Sequence, residues 1–125
     1  MQHQAAQAYQ QTAKKTVSPR ELEANLLSKS ASSLKRIQDS WDNGQADLHT
    51  VLAANRRLWT IFLDTVTKEG NPLPQTIKQN VANLGIFVLK HSLDVETAPE
   101  PGKLDVLINI NREVAAGLRT SAEAQ

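Results

Sequence analysis

The side chains most often used for catalysis are few in this sequence and are not grouped. Its three histidines, at positions 3, 49 and 91, lie on separate segments, and no two have the four-residue spacing of a helical metal-binding pair. The acidic residues are scattered, and Asp64 and Lys68 have the i, i+4 spacing of an ordinary surface ion pair. We find no nucleophile with a plausible base beside it. The pattern therefore predicts a protein that is not an enzyme.

The sequence also lacks the usual signatures of a cofactor site. It contains no cysteine, which excludes disulfides and thiolate metal sites. Its five glycines form neither of the glycine-rich loops that bind phosphates, Gly-x-x-x-x-Gly-Lys and Gly-x-Gly-x-x-Gly. We therefore predict no cofactor, no metal and no small-molecule substrate, and a function based on binding another macromolecule.

Length and charge narrow the class of protein further. The 125 residues suffice for one domain, and 40% of them are hydrophobic. No apolar run approaches the ~20 residues that span a bilayer, and the N-terminus has no signal-peptide pattern, so we expect no membrane insertion and a cytoplasmic location. The net charge of +1 is far from the strongly basic character of typical nucleic-acid-binding domains.

Helical periodicity and capping residues indicate four main helices. Ser18, Pro19 and Glu21 form a strong start signal, with a side-chain cap, a proline at the first helical position and a capping-box carboxylate. The first helix is predicted to end near Gly44 in a left-handed cap, and Asp47 to cap the second helix, which ends by Gly70. The third and fourth helices are predicted at about 74–95 and 103–119.

Residues 104–110 have a competing interpretation as a β-strand. Leu104, Val106, Ile108 and Ile110 alternate with polar residues, apart from Leu107. A helical face fits a longer window, however, and no second strand is available to satisfy the backbone of a lone one. We therefore predict a helix.

These elements predict an all-α fold, a helical bundle of four main helices with an N-terminal helical extension. The extension covers residues 1–17, the bundle domain residues 18–120, and a disordered tail residues 121–125. The predicted core faces carry Leu26, Leu27, Leu34, Ile37 and Trp41 in the first helix, Leu48, Val51, Leu52, Trp59, Phe62 and Val66 in the second, and Ile77, Val81, Leu84, Val88 and Val95 in the third.

The third helix carries a second apolar face opposite its core face. This face consists of Ala82, Ile86, Leu89 and Leu93, with Gly85 beside it. A helix that is apolar on two sides is typical of the buried centre of a bundle. The functional alternative is a groove floor, where Ala82 and Gly85 let a partner helix approach closely.

A second candidate binding feature lies on the second helix. If Trp59 faces the core, Arg57 and Ile61 point outward and form, with Arg56, a basic and apolar patch. Paired arginines are most often a solvated helix face, but they can also bind a carboxylate or the carbonyl groups of a partner chain. Direct RNA binding is not favoured, because no aromatic platform accompanies them.

Three blocks in this order give the sequence a resemblance to the FlaF flagellar biosynthesis proteins. They are Arg57-Leu58-Trp59, Leu84-Gly85-Ile86-Phe87-Val88, and Asp105-Val106 through Ile108-Asn109-Ile110-Asn111 to Gly117-Leu118, and the Ala/Gln-rich start with Tyr9 is also similar. The resemblance implies a cytoplasmic helper in flagellum assembly that acts on flagellin alongside a second regulator, FlbT.

The resemblance leads to a specific functional hypothesis and leaves two alternatives. The hypothesis is a secretion chaperone and regulator of flagellin production that captures an amphipathic terminal helix of flagellin. One alternative is a post-transcriptional regulator that contacts flagellin mRNA directly or through FlbT. The other is a homodimer that pairs through Ile86, Leu89 and Leu93. The candidate partner-binding residues are Arg56, Arg57, Ile61, Ala82, Gly85, Ile86, Leu89 and Leu93.

Overall fold

The computed structural model describes the backbone of residues 18–123 and the side chains of residues 18–120. It contains four α-helices, α1 (Pro19–Asp39), α2 (Trp41–Thr67), α3 (Gln75–Thr97) and α4 (Leu104–Glu123), with a 3₁₀ turn at Pro101–Lys103 before α4. No strand occurs among the described residues, so the all-α prediction is confirmed and α4 includes the segment with strand-like alternation. The predicted extension (1–17) lies outside the described residues, whereas the helix backbone continues through positions 121–123 of the predicted tail.

The predicted start of α1 is confirmed, but its predicted end is wrong. The Ser18 hydroxyl accepts a hydrogen bond from the Glu21 amide at 3.1 Å, as a capping residue should. The helix then breaks at Ser40, and Gly44 lies inside α2, without a positive φ. A Cβ atom on Gly44 would come within 3.1 Å of the Ile37 backbone. This glycine therefore permits close approach of α1 and α2, and Asp47 is an interior residue of α2.

Cross-helix contacts show that each helix runs antiparallel to its neighbours around the bundle. The order is α1, α2, α3, α4, and α4 packs extensively against α1 to close the ring, whereas α3 and α4 touch over a smaller surface. The pairs that fix these registers are Ser30–Asn55, Leu63–Gly85, His91–Lys103, Gln38–Asp105 and Ser28–Arg119. The fold is thus an up-down-up-down four-helix bundle.

The core lies between the four helices and consists mainly of aliphatic side chains. Its largest fully buried members are Leu27, Leu34, Leu52, Trp59, Val66, Val88, Val95, Leu104, Leu107 and Leu118. Five predicted core residues are placed differently: Leu26 is 42% exposed, and the partly buried ones are Trp41, Val51, Ile77 and Leu84. Leu26 and Leu27 are about 100° apart on the helix, so only one of them can face the core.

A chain of polar side chains crosses the core and joins three helices. Trp59 Nε1 donates to Asn111 Oδ1 at 2.8 Å, and Asn111 Nδ2 donates to Asn55 Oδ1 at 2.8 Å. The hydroxyl of Ser30 donates to the same Asn55 oxygen at 2.8 Å. Because buried polar groups cost free energy when unpaired, this network favours one register of α1, α2 and α4 over shifted alternatives.

Candidate partner-binding surface

The outer side of α3 exposes apolar side chains that the bundle does not cover. Ile86 is 54% exposed and Leu93 is 58% exposed, while Leu89 and Ala82 on the same face are half-buried. The opposite face of α3 packs into the core through Val81, Val88 and Val95. We call the four outward residues Ala82, Ile86, Leu89 and Leu93 the outer strip. Its two most exposed members are one heptad apart, which is the spacing of successive anchors for a docked helix.

Gly85 belongs to the packing between α2 and α3 of this chain. It is buried, and an added Cβ would lie 2.6 Å from the Leu63 methyl groups. In the groove-floor alternative, this glycine admits a helix of another protein. The structure corrects that expectation, because the helix that approaches Gly85 is α2. Gly85 therefore allows α3 to pack close to α2, which fixes the position of the outer strip relative to α2.

Arg56 is part of an ion cluster that also holds α2 against α3. Its Nη1 forms an ion pair with Glu96 Oε1 at 3.0 Å, and His49 Nδ1 lies 2.8 Å from the same oxygen. Burial by itself would raise the pKa of Glu96, but Arg56 and His49 together hold it below its usual value. This arrangement corrects the view of Arg56 as a free outward cation.

Arg57, unlike Arg56, is exposed. The Arg56–Glu96 and Leu63–Gly85 contacts set the register of α2 against α3. Arg57 is one residue further round α2 from Arg56 and therefore lies on the outer side of this helix pair, at the level of Leu93. Helix geometry thus places Arg57 on the outward side of α2 at the level of Leu93, a relation that periodicity in the sequence does not contain.

Ile61 is 59% exposed and lies one turn after Arg57 on α2. It follows Leu58 by three residues, and Leu58 faces α1 across a groove of about 250 Å³. That groove is formed by Leu26, Lys29, Ser30 and Ser33 of α1 and by Thr50, Val51, Ala54 and Leu58 of α2. Ile61 is not among the residues that line this groove.

The sequence pattern does not indicate this α1–α2 groove, because helical periodicity places Leu26 on the predicted core face. Leu22 and Leu26 are 48% and 42% exposed and are four residues apart, so they form a short apolar row on the surface of α1. The signal that could have revealed them is this i, i+4 pair, which is offset from the core row of Ala24, Leu27, Ala31 and Leu34.

The described residues give no sign of catalytic or metal chemistry. No group of three or more His, Asp or Glu side chains in that part of the chain is placed to hold a metal ion. His91 is half-buried, stacks on Phe87 with the ring centres 5.2 Å apart, and has Nε2 2.7 Å from the Lys103 carbonyl oxygen. Within residues 18–123, no helix combines the length and apolar character needed to cross a membrane.

A family of known proteins matches most of the chain. The family model described as "Flagellar protein FlaF" matches residues 5–118, a range that includes the outer strip and all four described helices up to Leu118. No curated protein and no solved structure is significantly similar to the sequence. The match confirms the family suggested by the three sequence blocks: the chain belongs to the FlaF family of flagellar proteins.

Proposed function

We propose that this chain is a cytoplasmic flagellin-binding secretion chaperone that also regulates flagellin production. Membership of the FlaF family implies a role in flagellum biogenesis. The chaperone mechanism is our inference from the surface of the bundle. In it, an amphipathic terminal helix of flagellin docks along α3 before export, so that its apolar face is shielded from water.

The observation that supports this proposal is the exposure of Ile86 and Leu93 on an otherwise well-packed helix. Each keeps more than half of its surface in water although α3 is anchored to the core by Val81, Val88 and Val95. Covering the remaining surface of each side chain would contribute on the order of 1 kcal/mol to binding. A docked helix covers both at once, since they lie one heptad apart.

The geometry also favours a helix over an extended segment as the ligand. The described part of the bundle has no β-sheet edge to which an extended chain could add. Leu89 and Ala82 are half-buried, whereas Ile86 and Leu93 are exposed. A helix lying along the outer strip would contact all four residues with one apolar stripe.

Titration of purified flagellin, full-length and with either terminal segment removed, tests the proposal. We expect full-length flagellin to bind, and removal of one terminal segment to abolish binding. Binding that persists without both terminal segments would contradict helix capture.

A parallel titration with flagellin mRNA, at low and high salt, tests the alternative regulator, because RNA binding through phosphates weakens steeply with salt. Adding purified FlbT to the flagellin complex tests whether the two partners bind together.

A further inference from the structure

By helix geometry, the outer strip is bordered by two exposed cations. Arg57 lies on the outward side of α2, at the level of Leu93. Lys90 borders it on α3, between Leu89 and Leu93 in sequence and four residues after Ile86. Among residues 18–120, neither side chain takes part in an ion pair.

The acidic residues around the outer strip are already neutralised within the chain. Asp64 pairs with Lys68 at 3.4 Å on the exposed surface of α2. Glu96 is held by Arg56 and His49. Asp94, next to Leu93 in sequence, pairs with Lys103 at 3.2 Å. The excess of positive charge is therefore concentrated at Arg57 and Lys90.

We propose that the outer strip selects amphipathic helices whose apolar stripe is flanked by carboxylates. This inference rests on the proposed capture of a flagellin helix and specifies the chemistry of the captured segment. A partner carboxylate beside Arg57 would accept hydrogen bonds from a planar guanidinium, and one beside Lys90 would pair with a compact ammonium group. A helix flanked by lysines would instead place like charges against both residues.

The charges of Arg57 and Lys90 affect which helices bind more than they affect the affinity contributed by apolar contact. Exposed ion pairs stabilise a complex only weakly, whereas like charges brought together oppose it. Because both cations are exposed, their influence is screened as the salt concentration rises. The inferred selectivity should therefore be largest at low ionic strength, while the apolar contribution of Ile86 and Leu93 persists.

The test uses two synthetic helical peptides with the same apolar i, i+3, i+4, i+7 stripe, one flanked by glutamates and the other by lysines. In ~50 mM salt we expect the wild-type chain to bind the glutamate peptide at least ~10-fold more tightly, and in ~500 mM salt the difference should largely vanish. The double variant Arg57→Glu with Lys90→Glu should prefer the lysine peptide. The matched control, Lys29→Glu with Arg112→Glu, reverses two exposed cations on α1 and α4 and should keep the wild-type preference.

The outcomes separate this inference from the proposed function. Equal affinity for the two peptides, with both weakened by Ile86→Asp, would overturn the charge selectivity and leave apolar capture intact. If the control double variant reverses the peptide preference as fully as the Arg57→Glu, Lys90→Glu variant does, the net charge of the protein is responsible and not the position of these two cations. That result would also overturn the inference. Flagellin binding that is indifferent to Ile86→Asp would overturn the proposed function itself.

Discussion

Helices α3 and α4 have similar lengths but differ in how they use their apolar residues. Along α4 the large aliphatic side chains at 104, 107, 108, 110 and 118 are buried, and none in the range 104–120 is strongly exposed. Along α3 the buried residues are Val81, Gly85, Val88, Ser92 and Val95, while Ile86, Phe87 and Leu93 are exposed. α4 is thus a structural helix, whereas α3 carries more apolar surface than the fold uses.

This difference shows that the apolar content of a helix does not by itself determine how deeply the helix is buried in the bundle. α4 packs extensively against α1 and contributes Asn111 to the buried polar network, and α3 has neither feature. The two-sided apolar pattern of α3, which usually indicates a central helix, here belongs to a helix at the margin of the bundle. An apolar face that contributes little to folding is available for a partner.

The largest expected effect on stability is at Trp59, which joins α2 to α4 in the buried polar network. Trp59 is fully buried, packs edge-to-face on Phe62, and donates to Asn111 of α4. We expect Trp59→Ala to lower the free energy of unfolding by about 3–5 kcal/mol, because it leaves a cavity and an unpaired Asn111 oxygen. Urea denaturation followed by circular dichroism measures the change. For the half-buried Trp41, the alanine variant should lose only about 1–2 kcal/mol, and an equal loss would contradict the assigned core.

The same substitution in α3 and α4 compares the two helices directly. Leu107 of α4 is fully buried and Leu93 of α3 is 58% exposed. We expect Leu107→Ala to destabilise the protein by about 2–5 kcal/mol and Leu93→Ala by less than about 0.5 kcal/mol. Thermal and urea unfolding of the two variants side by side provides the measurement. Similar losses in both would mean that the outer strip contributes to the core.

The sequence was sufficient to predict features that depend on local chemistry. Ser18, Pro19 and Glu21 mark the start of α1 by capping alone, and the helical face of α4 outweighs its short alternation. The number of helices follows from such signals, as does the inward position of Trp59. Each depends on residues within one or two turns of one another, which is the range over which sequence patterns are informative.

Features that depend on contacts between helices could not be predicted in the same way. Gly44 has the appearance of a helix cap, but its use is the close approach of the Ile37 backbone. Gly85 similarly packs on Leu63, and Arg56 reaches Glu96, 40 residues away in sequence. Whether Ile86 and Leu93 are covered is decided by where the neighbouring helices lie, and periodicity does not contain that information.

A smaller effect on stability is expected from the ion cluster of Arg56, His49 and Glu96, which joins α2 and α3. Burial raises the pKa of Glu96, yet Arg56 and His49 lower it to below the usual 4.5. Glu96 therefore stabilises the folded state fully above pH 4.5, and this contribution is lost as the pH falls through the lower pKa of the folded protein. We expect the wild type to lose stability relative to Glu96→Gln below pH 4.5, as measured by thermal melts across that range.

Glu23 provides the contrasting control for this pH dependence. Burial raises the pKa of Glu23 above 4.5, and the nearby Arg20 only partly offsets the change. The protonated carboxyl group is therefore favoured in the folded state, and the wild type should gain stability relative to Glu23→Gln as the pH falls through that raised value. A Glu96 difference with the same sign as the Glu23 difference would refute the assigned cluster.

Substitution of Ile86 is expected to have the smallest effect on stability and the largest effect on flagellin binding. Titration of full-length flagellin into wild type, Ile86→Asp and Leu22→Asp, each with a matched thermal melt, tests the account most directly. Leu22 is the control because it is 48% exposed on α1, away from the outer strip. We predict that both variants melt within a few degrees of wild type, because both sites are exposed, and that Ile86→Asp alone weakens flagellin binding, by ~10-fold or more. Unfolding of Ile86→Asp, or wild-type affinity in a folded Ile86→Asp, would contradict the assignment of the outer strip as the flagellin-binding surface.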